Sequence, residues 1–296
     1  MPKAETVQTR QLIEAAIRIL SEEKPMTIRQ LFYRLVSSQH IENNRQDYQK
    51  VSRVMTAARD DGRCPFAWIV DRSRPEYRVD VWEDPRGYAE AVKRSYRKDY
   101  WAMQPGHCEI WTEKDAIIGS IQDVTNELGV TVRVCRGFLS TTKAHEIAEH
   151  FDAISKSITI FYLGDHDPSG RTIEADLTAR ISTYASHAFT LKRLAIFAGD
   201  IRKFNLPPLR VKMTDSRAKS FLSKYSNACV ELDALPPTEL RRRIRKAIEQ
   251  LIDKTLWDRA VMVENAELAS IQEAVAAGRG VPPHERRSHE QVLTHK

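Results

Sequence analysis

From Gly106 to Phe197 the chain alternates short apolar runs with segments of helical period, and few folds accept that rhythm. CEIWTE (108–113), TVRVCRGF (131–138), SITIFYLGD (157–165) and LKRLAIF (191–197) read as strands. Between them Ile117, Ile121, Val124 and Leu128 recur at helical spacing, as do Ala144, Ile147, Ala148 and Phe151, and then Ile173, Leu177 and Ile181. Strands alternating with helices imply an α/β fold whose parallel sheet is joined by right-handed crossovers. Ligands of such a sheet bind beyond the carboxyl ends of its strands.

Carboxylates fall at those ends. Glu113 closes the first strand, and Asp165 and Asp167 follow the third in YLGDHDPSG. In a strand-to-loop turn, D-x-D lets both side chains address one point, while Gly164 and Gly170 permit a tight backbone and Pro168 fixes it. Carboxylates without a Cys or His cluster favour a hard cation, so Mg2+ is the expected cofactor, with Mn2+ as a substitute. His166, between the two aspartates, is expected to be structural. The alternative is that these acids merely decorate solvent-facing strand ends.

Residues 1–100 read as helices with a short extended tail. Leu12, Ala16, Ile19 and Leu20 mark a helix broken at Pro25, and Thr27 is an N-cap for a second. Tyr48, Val51, Met55 and Ala58 mark a third, which Gly62 stops. PFAWIVDRSRPEYRV (65–79) alternates like a strand or hairpin. Three helices and a ribbon outline a winged helix-turn-helix domain over 1–100. On a wheel of TIRQLFYRLV (27–36), Ile28, Leu31, Phe32, Leu35 and Val36 share one side, and Tyr33 turns away beside Arg29, one turn earlier. On the third helix Lys50 and Arg53 lie off the apolar stripe, where a recognition helix faces DNA. Arg59 lies nearer the stripe, either a DNA contact or a partly buried arginine with a carboxylate partner.

Composition narrows the class. The 296 residues fit two domains, and 42% hydrophobic with 29% charged content fits a soluble globular protein. No apolar run approaches the roughly 18 residues of a membrane span, and MPKAETVQTRQ has no signal-peptide core, so a cytoplasmic protein without a membrane partner is expected. Cys64, Cys108, Cys135 and Cys229 form no C-x-x-C pair, which argues against a zinc ribbon or a disulfide framework. A net charge of +6 permits nucleic-acid binding. Basic residues dominate Asp200 to Tyr225, among them Lys219, a phosphate contact or a solvated lysine. RRRIRK (241–246) sits over the apolar stripe Leu240, Ile244, Ile248 and Leu251, so it reads as a solvated helix face or a phosphate-binding one. VKMTDSRAKSFLSKY reads as a polar connection into a helix, VELDALPPTEL as a strand or turn, and 278–296 as a disordered tail or extended arm.

Taken together, the motifs resemble a known family. Glu113 and the D-x-D-P-x-G after the third strand are similar to the Toprim domain of topoisomerases, primases and some nucleases, here over 106–255 with a basic C-terminal extension. Arg29, Phe32 and Tyr33 form R-x-x-F-Y, which resembles the R-x-x-Y-Y motif of the topoisomerase VI A subunit and its relative, the meiotic double-strand-break protein. Phe32 replaces the first tyrosine of that pair. AARDDG (57–62) and ELDALPP (231–237) also look like family features, the likeness spans residues 10–255, and the chain length suggests the stand-alone Mini-A group of mobile elements.

The resemblance implies that Tyr33 attacks double-stranded DNA and forms a 5′-phosphotyrosyl bond. It assigns transition-state stabilisation to Arg29 and the magnesium to Glu113, Asp165 and Asp167. It also implies a homodimer in which the tyrosine of one protomer meets the metal site of the other. No Walker motif is present, so strand passage coupled to ATP is expected to need a separate ATPase subunit. Two other readings stay open: a Toprim nuclease that cuts with metal-activated water, and a non-catalytic DNA-binding accessory protein.

Overall fold

The computed structural model describes residues 6–71 and 79–277. The chain divides into two compact units, one formed by 1–75 with 104–252 and the other by 76–103 with 253–296. The first opens with helices α1 (Val7–Glu23), α2 (Ile28–Ser37) and α3 (Arg45–Asp60). Each starts at a side-chain cap: Thr6 accepts from the Thr9 amide, Thr27 from Gln30 and Asn44 from Asp47. After α3, Gly62 takes φ 78°, the left-handed conformation that turns the chain out of the helix.

The stretch expected to form a strand or hairpin does neither in its described part. Phe66–Trp68 is a 3-10 turn, and Ile69 makes a single parallel bridge to Met26. Pro65 enters the turn without an amide to donate, and the Ile69 amide bonds back to the Phe66 carbonyl, closing a helical turn where a ladder would need that amide. Residues 72–78 and the tail 278–296 lie outside the described residues. The extended tail expected before residue 100 contains instead helix α4 (Pro85–Ser95), with Asp84 as its cap and proline in its first turn.

Next come β1 (Gly106–Thr112), α5 (Ile118–Glu127), β2 (Thr131–Val134), α6 (Thr141–Asp152), β3 (Ser157–Leu163), α7 (Pro168–Tyr184) and β4 (Phe189–Ala195). All strands are parallel, in the order β2-β1-β3-β4. The α/β expectation therefore holds, with a four-stranded sheet. The chain leaves β1 toward β2 and leaves β3 toward β4, so the sheet reverses direction between β1 and β3. Right-handed crossovers then place α5 on one face and α6 and α7 on the other. Thr112 pairs with Leu163, so the residues that follow β1 and β3 emerge side by side at this switch point.

Two layers of apolar side chains hold the sheet. Trp111, Tyr162, Ile160 and Ile158 pack against Ile147 and Phe151 of α6 and Leu177 and Ile181 of α7. After β4 come α8 (Ala198–Lys203), α9 (Ala218–Leu222), a 3-10 turn at Leu232–Ala234 and α10 (Pro237–Glu249). Helix α10 packs on α5, with Ile121, Leu240, Ile244 and Ile248 all at 0% exposure.

The basic run of α10 is a solvated face only in part: Arg242 and Lys246 are exposed, while Arg241 and Arg243 are held by other elements. Arg241 donates to the carbonyls of Glu23, Lys24, Pro25 and Ser120 at 2.9–3.3 Å, clamping the α1–α2 corner to α5. Arg243 donates to the buried Asp200 at 2.6 and 2.9 Å and to Glu239 at 2.8 Å. Arg242 pairs with Glu239, and Arg245 with Glu127. The apolar stripe is there as read, but the rim beside it meets carbonyls and carboxylates of other elements, which a wheel of one helix cannot display.

In the second unit α4 meets α11 (Lys254–Ala277). Glu267 accepts from Tyr96 and from Lys98 at 2.9 Å, Glu264 from the Lys98 amide at 2.8 Å, and Trp257 sits edge-on to Tyr100 at 4.7 Å. Among the described residues no helix is long and apolar enough to cross a membrane.

Arg241→Ala leaves those carbonyls without their charged donor, so it should lower the unfolding free energy by about 2–4 kcal/mol. Urea denaturation of the full chain checks this, and Arg242→Ala, which removes an exposed side chain, should leave the midpoint nearly unchanged.

Candidate active site

Helix α2 has two working faces. Thr27 and Gln30 exchange side-chain and backbone hydrogen bonds at 3.1 and 2.9 Å, which fixes where the helix starts. From that origin Leu31, Phe32 and Leu35 enter the core at 0–4% exposure. Tyr33 also does, at 5% exposure, which corrects the expectation that it turns away from packing. Its face meets the 3-10 turn at Leu232–Ala234. The wheel located one apolar stripe, and this second contact is built from charged residues, which hydropathy does not register. Phe32 lies edge-on to Tyr33 at 5.3 Å, and the Arg29 guanidinium is 5.8 Å from the Tyr33 ring.

Around the exposed Arg29 lies a partly buried ion network. Lys114, directly after Glu113, places Nζ 2.6 Å from Asp233, 3.0 Å from Asp165 and 3.4 Å from Glu231. Arg29 reaches Glu231 at 2.5 Å and Asp233 at 3.8 Å. Burial works against the charge on Lys114, but its three carboxylates outweigh burial and hold its pKa above the usual range. The same contest keeps Glu231 below its ordinary value. In Asp165 burial wins and the pKa rises, despite Lys114 and the Leu232 amide, which donates to it at 2.7 Å. For Tyr33, burial and then the charge of Glu231 push the hydroxyl up to about 12, against Arg29 and Lys114. At pH 7 only one tyrosine in about 10^5 is then ionised, a deficit of about 7 kcal/mol.

A cleft of about 710 Å3 opens over the network, lined by Arg29, Lys114, Asp165 and, from α3, Tyr48, Thr56 and Arg59. Tyr33 is not in its lining. Arg59 stacks on Phe66 at 5.3 Å, and its buried Nε has no hydrogen-bond partner. The carboxylate partner considered for it is absent among the described residues. Lys50 is half-buried and Arg53 exposed on α3, and Lys219 is exposed on α9.

The predicted magnesium ligands are close in sequence position to this cleft but divided by the alternation of the strand. Glu113 follows Trp111 onto the α6–α7 face, where it accepts a hydrogen bond from Tyr162, whereas Lys114 turns toward α2. Gly164 and Gly170 make room for it: a Cβ at these positions would stand 2.3 and 3.2 Å from Glu113 Oε1. Asp167 caps α7, accepting from the Gly170 amide at 2.7 Å, and Asp165 faces the cleft. Glu113, Asp165 and Asp167 do not converge on one point here; the metal-ligand cluster among the described residues is His107, Glu109 and His150. The acidic donors still suit a hard cation. Burial, then Asp165 and Asp167, push Glu113 up to about 7, a repulsion that a cation among them would remove.

His166 is buried between Phe221 and Tyr225, and burial pushes it down to about 4, so it is neutral and structural. Lys114, Glu231 and Asp233 belong to the site without a sequence pattern that assigns them to it; ELDALPP carries the two acids, and Lys114 stands beside Glu113.

Glu113 carries a sign-definite test. Its folded pKa lies above the unfolded value of 4.5, so the stability it gives is complete below pH 4.5 and is lost as pH rises through about 7. Glu113→Gln, which mimics the protonated form, should match the parent in urea midpoint at pH 4.5 and exceed it by up to about 3 kcal/mol at pH 8. Lys114→Met removes the ammonium from Asp165 and Asp233; it should cost about 3–5 kcal/mol at pH 7 and less at pH 5, by the same measurement. No family model matches this chain, and no curated protein does.

Proposed function

We propose that this chain is a divalent-metal-dependent enzyme that cleaves double-stranded DNA, with Tyr33 as its nucleophile and 5′-phosphotyrosyl DNA as its intermediate. The observation that carries the reading is the meeting of Arg29 and Tyr33 with Lys114, Asp165, Glu231 and Asp233 at the switch point of the sheet. Residues from opposite ends of the first unit make one charged site there. DNA as substrate is supported by Arg59 in the lining of the cleft and by Lys50 and Arg53 on the same helix. The α1–α3 trio would act as the winged-helix element, and the α/β part as the Toprim domain.

In this mechanism the Tyr33 oxygen forms a bond to phosphorus as the bond to the 3′ oxygen breaks. Glu231, whose charge acts most strongly on the tyrosine, takes the phenol proton. Arg29 moves from Glu231 onto the phosphate and balances the charge of the phosphorane. Glu113, Asp165 and Asp167 would have to be drawn together to hold Mg2+, or Mn2+ in its place, and the bound cation would supply stabilisation to the leaving 3′ oxygen. The phosphotyrosyl bond conserves the energy needed for religation by the reverse path. In a homodimer each protomer would cut one strand, and a separate ATPase subunit would drive any ATP-coupled step.

A second reading, cleavage by metal-activated water, is favoured by one observation: Tyr33 is covered and its hydroxyl sits at about 12. Supercoiled plasmid with Mg2+ or Mn2+, run with and without protease before electrophoresis, separates the two. Tyrosine attack predicts nicked or linear DNA that enters the gel only after proteolysis, and a loss of at least about 100-fold in Tyr33→Phe. Protein-free ends, with Tyr33→Phe as active as the parent, establish the water mechanism instead. Asp165→Ala with Asp167→Ala should abolish cutting in either case while DNA binding persists; if cutting survives, the acidic site is not catalytic.

A further inference from the structure

The sheet carries a second group of metal-ligating side chains at its other end. His107 and Glu109 lie on the first half of β1, and His150 is near the end of α6, which runs back toward the amino ends of the strands. The ligand atoms of the three all lie within 4.8 Å of one another. We propose that His107, Glu109 and His150 form a binding site for a borderline divalent metal of the zinc class, separate from the acidic cleft.

The hydrogen-bond inventory of Glu109 carries the argument. Its side chain is 1% exposed, and Oε2 accepts from Trp111 Nε1 at 2.7 Å and from Arg133 Nε at 3.0 Å. Oε1 accepts from Arg133 Nη2 at 3.1 Å. The carboxylate plane is therefore locked, and the remaining lone pair of Oε1 takes only a long hydrogen bond from His107. Nε2 of His107 and a ring nitrogen of His150, also Nε2, both stand 3.4 Å from that same oxygen. Both contacts are long for hydrogen bonds, and the two imidazoles compete for the same oxygen.

Their length is the separation expected between two ligands of one tetrahedral ion, since bonds of about 2.0–2.1 Å put ligand atoms about 3.3–3.4 Å apart. The imidazoles meet edge to face, 6.0 Å between centroids, so a modest turn of the exposed His150 ring brings its nitrogen into the set. Arg133 and Trp111 act as the outer shell that orients the carboxylate.

Ligand chemistry selects the metal. Two imidazoles and one carboxylate suit Zn2+, Co2+ or Ni2+, whereas Mg2+ prefers an all-oxygen shell. His107 is 24% and His150 49% exposed, so the fourth position opens to water, as in sites that keep an exchangeable ligand. Arg133 shares the charge of Glu109, which makes the site weaker than a four-ligand structural zinc site.

The test is a Co2+ titration of the untagged full chain, followed by its visible ligand-field bands and by competition. One equivalent should bind, Zn2+ should displace it, and millimolar Mg2+ should not. His107→Ala and His150→Ala should each weaken Co2+ binding by more than about tenfold, and together abolish it. His145→Ala, an exposed histidine outside the group, should leave it unchanged, and circular dichroism should report the same fold for all variants. Absence of a one-equivalent Co2+ spectrum, displacement by Mg2+, or undiminished binding in the double variant would overturn the proposal. Because none of these readouts uses DNA, failure of the cleavage mechanism leaves the metal site standing, and the reverse.

Discussion

The ammonium of Lys114 is the point on which the first unit's charged interior depends. It contacts carboxylates from the loop after β3 and from the turn at Leu232–Ala234, and through Glu231 it is joined to Arg29 of α2. Ion pairs taken out of water repay their desolvation only when geometry is good and every partner is satisfied. Here Asp233 is 1% exposed, and without Lys114 it would keep only Arg29, at 3.8 Å, as a counter-charge. The network thus fixes α2 against the sheet more by the penalty of breaking it than by its net attraction. Burial first, and then the charge of Glu231 in this network, keeps the Tyr33 phenol protonated.

The basic helix α10 shows why total charge is a poor guide to a binding surface. Its arginines are consumed by backbone carbonyls at the α1–α2 corner, by Asp200 in α8 and by Glu127 in α5. Guanidinium suits this work because its planar fork can address several carbonyls at once. What remains for an anionic polymer is a smaller set, led by Arg59 in the cleft.

The α/β part was legible in the sequence because strand and helix periods are local properties. All four strands lie where the sequence carries its apolar runs. The acids at the strand ends were legible for the same reason. Harder to read were contacts made across the chain. Tyr33 looked free on a wheel because its partner surface lies some 200 residues away and is ionic. Glu113 and Lys114 are adjacent in sequence yet serve opposite faces, and only the pleat separates them. The ribbon reading of 65–79 failed where Pro65 and the Phe66–Ile69 hydrogen bond favour a helical turn over an extended pair.

The cleft's own charge has a consequence for binding. Its lining includes three cationic side chains, Arg29, Arg59 and Lys114, against five carboxylates, Asp71, Asp115, Asp165, Glu231 and Asp233. By formal charge it is a negative bowl, and a phosphodiester approaching it alone meets repulsion. Under the proposed chemistry, Asp165 is the one proposed metal donor in that lining, so the charge of a cation held there would be what gives the nucleic acid a reason to enter.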